Sequence, residues 1–144
     1  MKKTIILIIL FCIFSAYCFS QAADNVTITV EITNVAINNG KVYLAIFADA
    51  ESFRKEEPQW AFELEADRTV VSQEVSLPAG QYVVSGFQDT NKNQKLDYGL
   101  FGIPKELVAI SNYDGKGFPS KNFDKQKIPI NGTTGKVIIG LYKF

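Results

Sequence analysis

Apolar residues recur at every second position in several short runs, and this period decides the fold class before anything else does. Val26, Ile28, Val30 and Ile32 alternate with Thr27, Thr29, Glu31 and Thr33, the pattern of a strand with one dry and one wet face. After the turn at Asn38-Asn39-Gly40, Val42, Leu44 and Ile46 repeat it, while Tyr43, Ala45 and Phe47 occupy the other face. A strand apolar on both faces reads as central and covered on both sides. Asn39-Gly40 supplies the two positive-φ positions of a tight hairpin, so the first two strands are expected to pair with each other.

Further strands are expected near 60–65, 69–77, 83–88 and 136–143, with a weaker one at 126–130. The second of these carries Val71, Val75 and Leu77 on one side, and the last but one Val137, Ile139 and Leu141. Pro78 and Gly80 shape a turn into Tyr82. Tyr82 and Trp60 are assigned to the core, the Tyr82 hydroxyl bonding a nearby turn as a tyrosine corner does. Between Asp49 and Pro58 the period lapses into a charged excursion holding one helical turn or none, with Phe53 and Trp60 tucked under it. Six to seven short strands and no convincing helix predict an all-β chain. A one-faced sheet must bury its apolar side against another, so the expected architecture is an antiparallel two-sheet β-sandwich, immunoglobulin-like or prealbumin-like.

The strands are preceded by Lys2, Lys3 and an uninterrupted apolar run over 5–14, which reads as a cleavable signal peptide. The run is too short to span a bilayer comfortably. Residues 1–22 are therefore assigned to the leader and 23–144 to a single domain, exported to the periplasm or secreted, with no transmembrane span once the leader is removed. Without Lys2 and Lys3 the 15 basic residues fall to 13 against 15 acidic ones, a charge of −2. No basic stripe interleaved with aromatics appears, so nucleic acid is not an expected partner. Cys12 and Cys18 also lie in the leader, and the sequence has no His. Thiol catalysis, a Ser-His-Asp arrangement and typical zinc sites are thereby excluded for the exported chain.

The densest chemistry lies in Asp89-Thr-Asn-Lys-Asn-Gln-Lys-Leu-Asp97. A calcium ion wants six to eight oxygens, which a loop supplies from alternate side chains and a backbone carbonyl. With Asp89 as the first position, Asn91 is third, Asn93 fifth, the Lys95 carbonyl seventh and Asp97 ninth. Leu96, at the eighth, would turn inward. Two departures weaken the set. Gln94 stands where a left-handed Gly is usual, costing about 1–2 kcal/mol, and Leu100 replaces the bidentate carboxylate of the twelfth position. Any Ca2+ affinity is then low, ~10⁻⁴–10⁻³ M. The competing reading is a solvated loop in which Asp89, Asn91 and Asn93 hydrogen-bond their own backbone.

Leu77-Pro-Ala-Gly-Gln-Tyr82, the Asp89–Asp97 loop, Phe101-Gly-Ile-Pro-Lys-Glu106 and Ser111-Asn112 together resemble the bacterial domain of unknown function 2141. The resemblance covers nearly the whole exported region and implies a small exported β-sandwich, with no activity, cofactor or ligand attached. Family loops usually carry Gly at the place of Gln94. The aromatic-glycine step expected after Pro-Lys-Glu is replaced by Leu107-Val-Ala-Ile110, which implies different packing before Ser111.

For function, the residues favour a non-catalytic extracytoplasmic binding module. Tyr98, Phe101, Tyr113 and Phe118 are expected as exposed aromatics clustered around the loop, and flat aromatics offer a glycan or an envelope protein contact area at low entropy cost. The competing expectation is that Phe101 and Phe118 plug the end of the sandwich. A structural or accessory envelope component without a ligand is the alternative. An enzyme would have only a carboxylate pair such as Asp97 with Glu106, working on a glycan as glycosidases do.

Overall fold

The computed structural model of the protein describes residues 25–144; the signal-peptide expectation and both cysteines fall on residues outside this range. Eight strands form two sheets: β1 (Asn25–Thr33), β2 (Lys41–Phe47), β3 (Trp60–Glu65), β4 (Val70–Pro78), β5 (Gly80–Asp89), β6 (Leu107–Ile110), β7 (Ile128–Ile130) and β8 (Lys136–Gly140). One sheet runs β4-β1-β8 and the other β3-β2-β5-β6, with β7 added along the start of β5. The two-sheet β-sandwich is as expected, with more strands than the sequence suggested. All pairs are antiparallel except β1 with β8, which is parallel.

The alternation in β1 works as anticipated: Ile28, Val30 and Ile32 are buried, and they face Val42, Leu44, Ile46 and Val84 of the other sheet. Val71, Val75, Leu77, Val137 and Ile139 complete the dry face of the smaller sheet. Fully burying each such side chain stabilises by about 1.5–3 kcal/mol, so this layer is the main source of stability.

The expected β1–β2 hairpin does not form. β1 pairs with β4 and β8, while β2 pairs with β3 and β5, and the segment between them crosses from one sheet to the other. Its left-handed positions are Asn34, Asn38 and Gly40, not Asn39. What directs the crossing is Gln88, fully buried on β5. Its Oε1 accepts the Ala36 N–H at 2.9 Å, and its Nε2 donates to the Ala36 and Asn39 carbonyls at 2.7 and 2.8 Å. A buried amide satisfied by main chain on three sides fixes that segment more firmly than a local turn preference can.

β4 also hands over to β5 across the sandwich, through Ala79 alone. Tyr82 Oη donates to the Pro78 carbonyl at 2.8 Å, as expected of a tyrosine corner, and Trp60 packs edge-on against its ring at 5.7 Å. The charged excursion contains the helix α1 (Ala50–Lys55), which starts because Asp49 accepts the Glu51 and Ser52 N–H groups at 2.9 Å each. A second turn, α2 (Phe123–Gln126), lies before β7. Phe53 and Phe123 from these helices cover Phe47, Val83 and Ile110 on the outer face of the larger sheet, so β2 is indeed central and covered on both sides near its end.

Candidate functional site

β5 ends at Asp89, and the chain then makes the nine-residue loop and a protruding finger before β6 returns alongside β5. The finger is a short two-stranded stem. The Lys105 N–H donates to the Asp97 carbonyl at 2.8 Å, Tyr98 and Pro104 bridge, and the Gly99 N–H donates to the Ile103 carbonyl at 2.7 Å. The chain reverses over Leu100–Gly102 in two overlapping turns, the Gly102 N–H donating to the Gly99 carbonyl at 3.3 Å and the Ile103 N–H to the Leu100 carbonyl at 3.5 Å, with Phe101 left-handed between them.

The stem is anchored by Glu106, a buried carboxylate. Its Oε1 accepts the Thr90 N–H at 3.0 Å and its Oε2 the Asp97 N–H at 3.4 Å. Burial raises its pKa above the ordinary value; the two N–H groups oppose this shift and the nearby Asp89 and Asp97 charges add to it. Asp89 is buried at the other end of the loop, its carboxylate accepting the Asn93 N–H at 3.2 Å and the Gln94 N–H at 2.7 Å. Gly40 lies against the same spot: a Cβ there would sit 1.8 Å from the Asp89 carbonyl oxygen.

Asn91, Asn93 and Asp97 are brought together. Both Nδ2 groups donate to the same Asp97 Oδ2, at 2.6 and 2.7 Å, while Asn91 Oδ1 accepts the Asn93 N–H and Asn93 Oδ1 the Lys95 N–H. These amide bonds hold the Asp97 pKa below the ordinary carboxylate value, with Lys105 and Lys95 adding to the effect. Asp89 reaches the group only through the backbone of Asn93 and Gln94. A cation beside Asp97 would replace the two amide donors and would need Asn91 and Asn93 to turn their oxygens towards it. Gln94 takes the left-handed conformation at φ 63° that the sixth position demands, and so does Lys92 at 61°. Leu96 is half-buried, as an inward eighth position would be.

The four aromatic positions divide into two groups. Tyr98 sits at the base of the finger, its hydroxyl donating to Glu56 at 2.9 Å and its ring 5.6 Å from Lys121 Nζ. Burial, with Glu56 adding to it, raises its pKa well above the ordinary phenol value. Phe101 is 98% exposed at the tip, with φ 63°. The expectation that Phe101 and Phe118 plug the sandwich end is therefore overturned, since Phe118 is 67% exposed as well. Tyr113 and Phe118 belong to a separate stack with Tyr142 and Phe144: Tyr113 meets Tyr142 edge-on at 5.6 Å, and Phe118 stacks on Phe144 at 5.8 Å. Sequence reasoning missed Leu100, which is 83% exposed beside Phe101. An apolar pair bracketed by Gly99 and Gly102 could have flagged a displayed turn. It also missed Lys105 and Lys121, for which no local pattern exists.

An open groove of about 420 Å³ lies beside the loop, lined by Lys41, Tyr43, Glu63, Asp67, Asp89 and Lys92, among others. Its charges are largely paired: Lys41 bridges Glu63 and Glu65, and the Tyr43 hydroxyl donates to Glu63. Neither Asp97 nor Glu106 lines it. Among the described residues, no group of three or more His, Cys, Asp or Glu is arranged to hold a metal ion, and no helix is long and apolar enough to cross a membrane.

No curated protein and no solved structure matches the chain. The model of a family described as an uncharacterized protein conserved in bacteria, DUF2141, matches residues 30–139, from the middle of β1 to the end of the buried part of β8. That span holds both sheets, the loop and the finger, and the chain belongs to this bacterial family.

Proposed function

We propose that the protein is an exported, non-catalytic binding module whose contact surface is the tip of the finger. The observation that carries this is Phe101. A large aromatic ring almost wholly in water, on a left-handed non-glycine backbone, forfeits burial and costs about 1–2 kcal/mol of strain. Among the described residues, nothing packs on the ring to offset either cost. A residue kept at such a cost in a buttressed hairpin is accounted for by something it touches outside the chain. The leader supports export. The non-catalytic reading is supported by Glu106, whose two oxygens face backbone N–H groups and not a cleft.

The test is a photo-crosslinking amino acid in place of Phe101, with one at Ile138, also exposed on β8, as control. Adducts formed in cells at 101 and not at 138 are expected. Labelling at 101 no greater than at 138 would overturn the reading in favour of a structural or accessory role.

A second reading is carried by the convergence of Asn91 and Asn93 on Asp97. In it the loop is a weak Ca2+ site, millimolar in affinity because only Asp89 and Asp97 contribute charge. Bound calcium would stiffen the base of the finger; it would not supply chemistry.

A further inference from the structure

We infer that the finger is a membrane-contact device: Leu100 and Phe101 enter the boundary between headgroups and acyl chains of an anionic lipid surface, and Lys105 and Lys121 meet the lipid phosphates. This deepens the reading of the tip as a contact surface and rests on it.

The shape of the tip selects the partner. Small ligands are held in concave sites that enclose most of their surface, and Leu100 and Phe101 project from a convex turn. A stable protein interface needs about 800 Å² on each side, far more than two side chains provide. A fluid bilayer accepts a convex apolar tip without a complementary surface. Aromatic and aliphatic residues in that position gain burial a few ångströms below the headgroups.

Charge completes the match. Lys105 and Lys121 flank the turn at its two ends: a side chain at Gly99 would begin 3.8 Å from Lys105 Cε, and one at Gly102 4.0 Å from Lys121 Nζ. Neither lysine forms a salt bridge among the described residues, whereas Lys41, Lys55, Lys116, Lys127 and Lys136 all do. Asp97, which Lys105 helps to keep ionised, takes its hydrogen bonds from Asn91 and Asn93, and Glu56 takes one from the Tyr98 hydroxyl, so neither holds a lysine ammonium in a salt bridge. Lys92 and Lys95 are also exposed on the adjoining loop, whose acids Asp89 and Glu106 are buried. The stem holds its register through two main-chain hydrogen bonds that frame the Tyr98–Pro104 bridge, so little ordering is needed on insertion.

Two apolar side chains and two lysines give an association constant on the order of 10⁴ M⁻¹, comparable to a single acyl chain and reversible. The protein is purified in the form exported by cells expressing the full chain, so that any leader contribution is common to wild type and variants. It is then sedimented with phosphatidylcholine vesicles, with or without about 30 mol % phosphatidylglycerol, at about 1 mM lipid, enough to bind most of it at that affinity. Sedimentation with the anionic vesicles is expected, weakened about tenfold or more by Phe101→Ser. Lys105→Glu with Lys121→Glu should weaken it by about fivefold or more per lysine, and salt at about 0.5 M should weaken it further. Because the Phe101 ring is exposed, Phe101→Ser keeps at least the wild-type melting temperature, and Ile138→Ser binds as wild type.

No sedimentation of the wild type with anionic vesicles, or sedimentation unchanged in the Leu100→Ser, Phe101→Ser double variant, overturns the lipid assignment. If the crosslinker at 101 then labels a protein or a glycan, the contact-surface reading survives the failure. If it labels nothing, both fall.

Discussion

The Glu106 carboxylate accepts the Thr90 N–H at 3.0 Å and, with its second oxygen, faces the Asp97 N–H, so one buried group ties together the first and last turns of the loop. Its pKa is raised by burial above the ordinary 4.5, while that of Asp97 is lowered below the ordinary 3.8 by the Asn91 and Asn93 amides. The signs are opposite. A raised carboxyl favours the folded state in its protonated form, so the Glu106 contribution is present below about pH 4.5 and is lost as pH rises through its folded value. A lowered carboxyl contributes above about 3.8 and is lost as pH falls through its folded value. Unfolding titrations should therefore show wild type losing stability relative to Glu106→Gln as pH rises from about 4.5 towards neutrality. Asp97→Asn should lose its disadvantage relative to wild type as pH falls below about 3.8. A difference between wild type and Glu106→Gln that stays flat across the first window would contradict the assigned burial.

Gln88 carries the crossing between the sheets, and its replacement tests that role. Gln88→Leu is close in volume but abandons the Ala36 N–H and two carbonyls, and stranded main-chain groups cost about 1–3 kcal/mol each when shielded from water. These groups are only partly shielded, so the expected loss is about 2–4 kcal/mol in denaturant unfolding. Hydrogen exchange at Ala36 should quicken by more than the global loss explains. A loss under about 0.5 kcal/mol, typical of a surface change, would mean that the turn itself directs the crossing.

The same residue explains what was legible in the chain and what was not. The dry faces of β1, β2 and β4 followed from period two because each strand has one side against the core. The hairpin between β1 and β2 did not, since Asn39-Gly40 reports only that the chain turns, and the direction is decided by Gln88 some fifty residues later. β6 was invisible for another reason. Leu107–Ile110 is a continuous apolar run, buried at Val108, Ala109 and Ile110, and such a run has no alternation to read. At the site, the left-handed strain at Gln94 and the company of Asn91, Asn93 and Asp97 were legible from spacing. An exposed Phe101 was one of the two expectations for that residue, and the structure decides for it; the finger that displays it was not legible, because it is held by Glu106 and by main-chain bonds that leave no mark on side-chain pattern.

Gln94 at φ 63° is a site where stability can be gained. Gly adopts this conformation freely, and the relief of about 1–2 kcal/mol is offset in part by its greater freedom in the unfolded chain. Gln94→Gly is therefore expected to stabilise by about 0.5–1 kcal/mol, read as a higher denaturation midpoint with an unchanged slope. A destabilised variant would show that the Gln94 side chain contributes something that its backbone conformation does not reveal.

Phe101 separates a displayed residue from a packed one. Asn tolerates φ 63° better than Phe does, and a ring exposed to 98% has no packing to lose. Phe101→Asn should be between neutral and about 1 kcal/mol more stable than wild type. A loss of several degrees in melting temperature would mean that the ring packs against the chain in solution, and the contact surface at the tip would lose its basis.

Calcium distinguishes the two readings of the loop. If Asn91 and Asn93 can turn their oxygens beside Asp97, an ion with a dissociation constant near 1 mM, present at about 10 mM, stabilises by about 1.4 kcal/mol. That is about 4–6 °C in a domain of this size. Asp97→Asn keeps an oxygen to accept the two amides but removes one of the two charges, so the calcium-dependent rise should vanish while the fold persists. Magnesium should not substitute, because it demands tighter octahedral geometry than this loop supplies. Melting that is identical in calcium and in chelator would leave the amide-to-Asp97 bonds as the loop's working state and make it a rigid base for the finger.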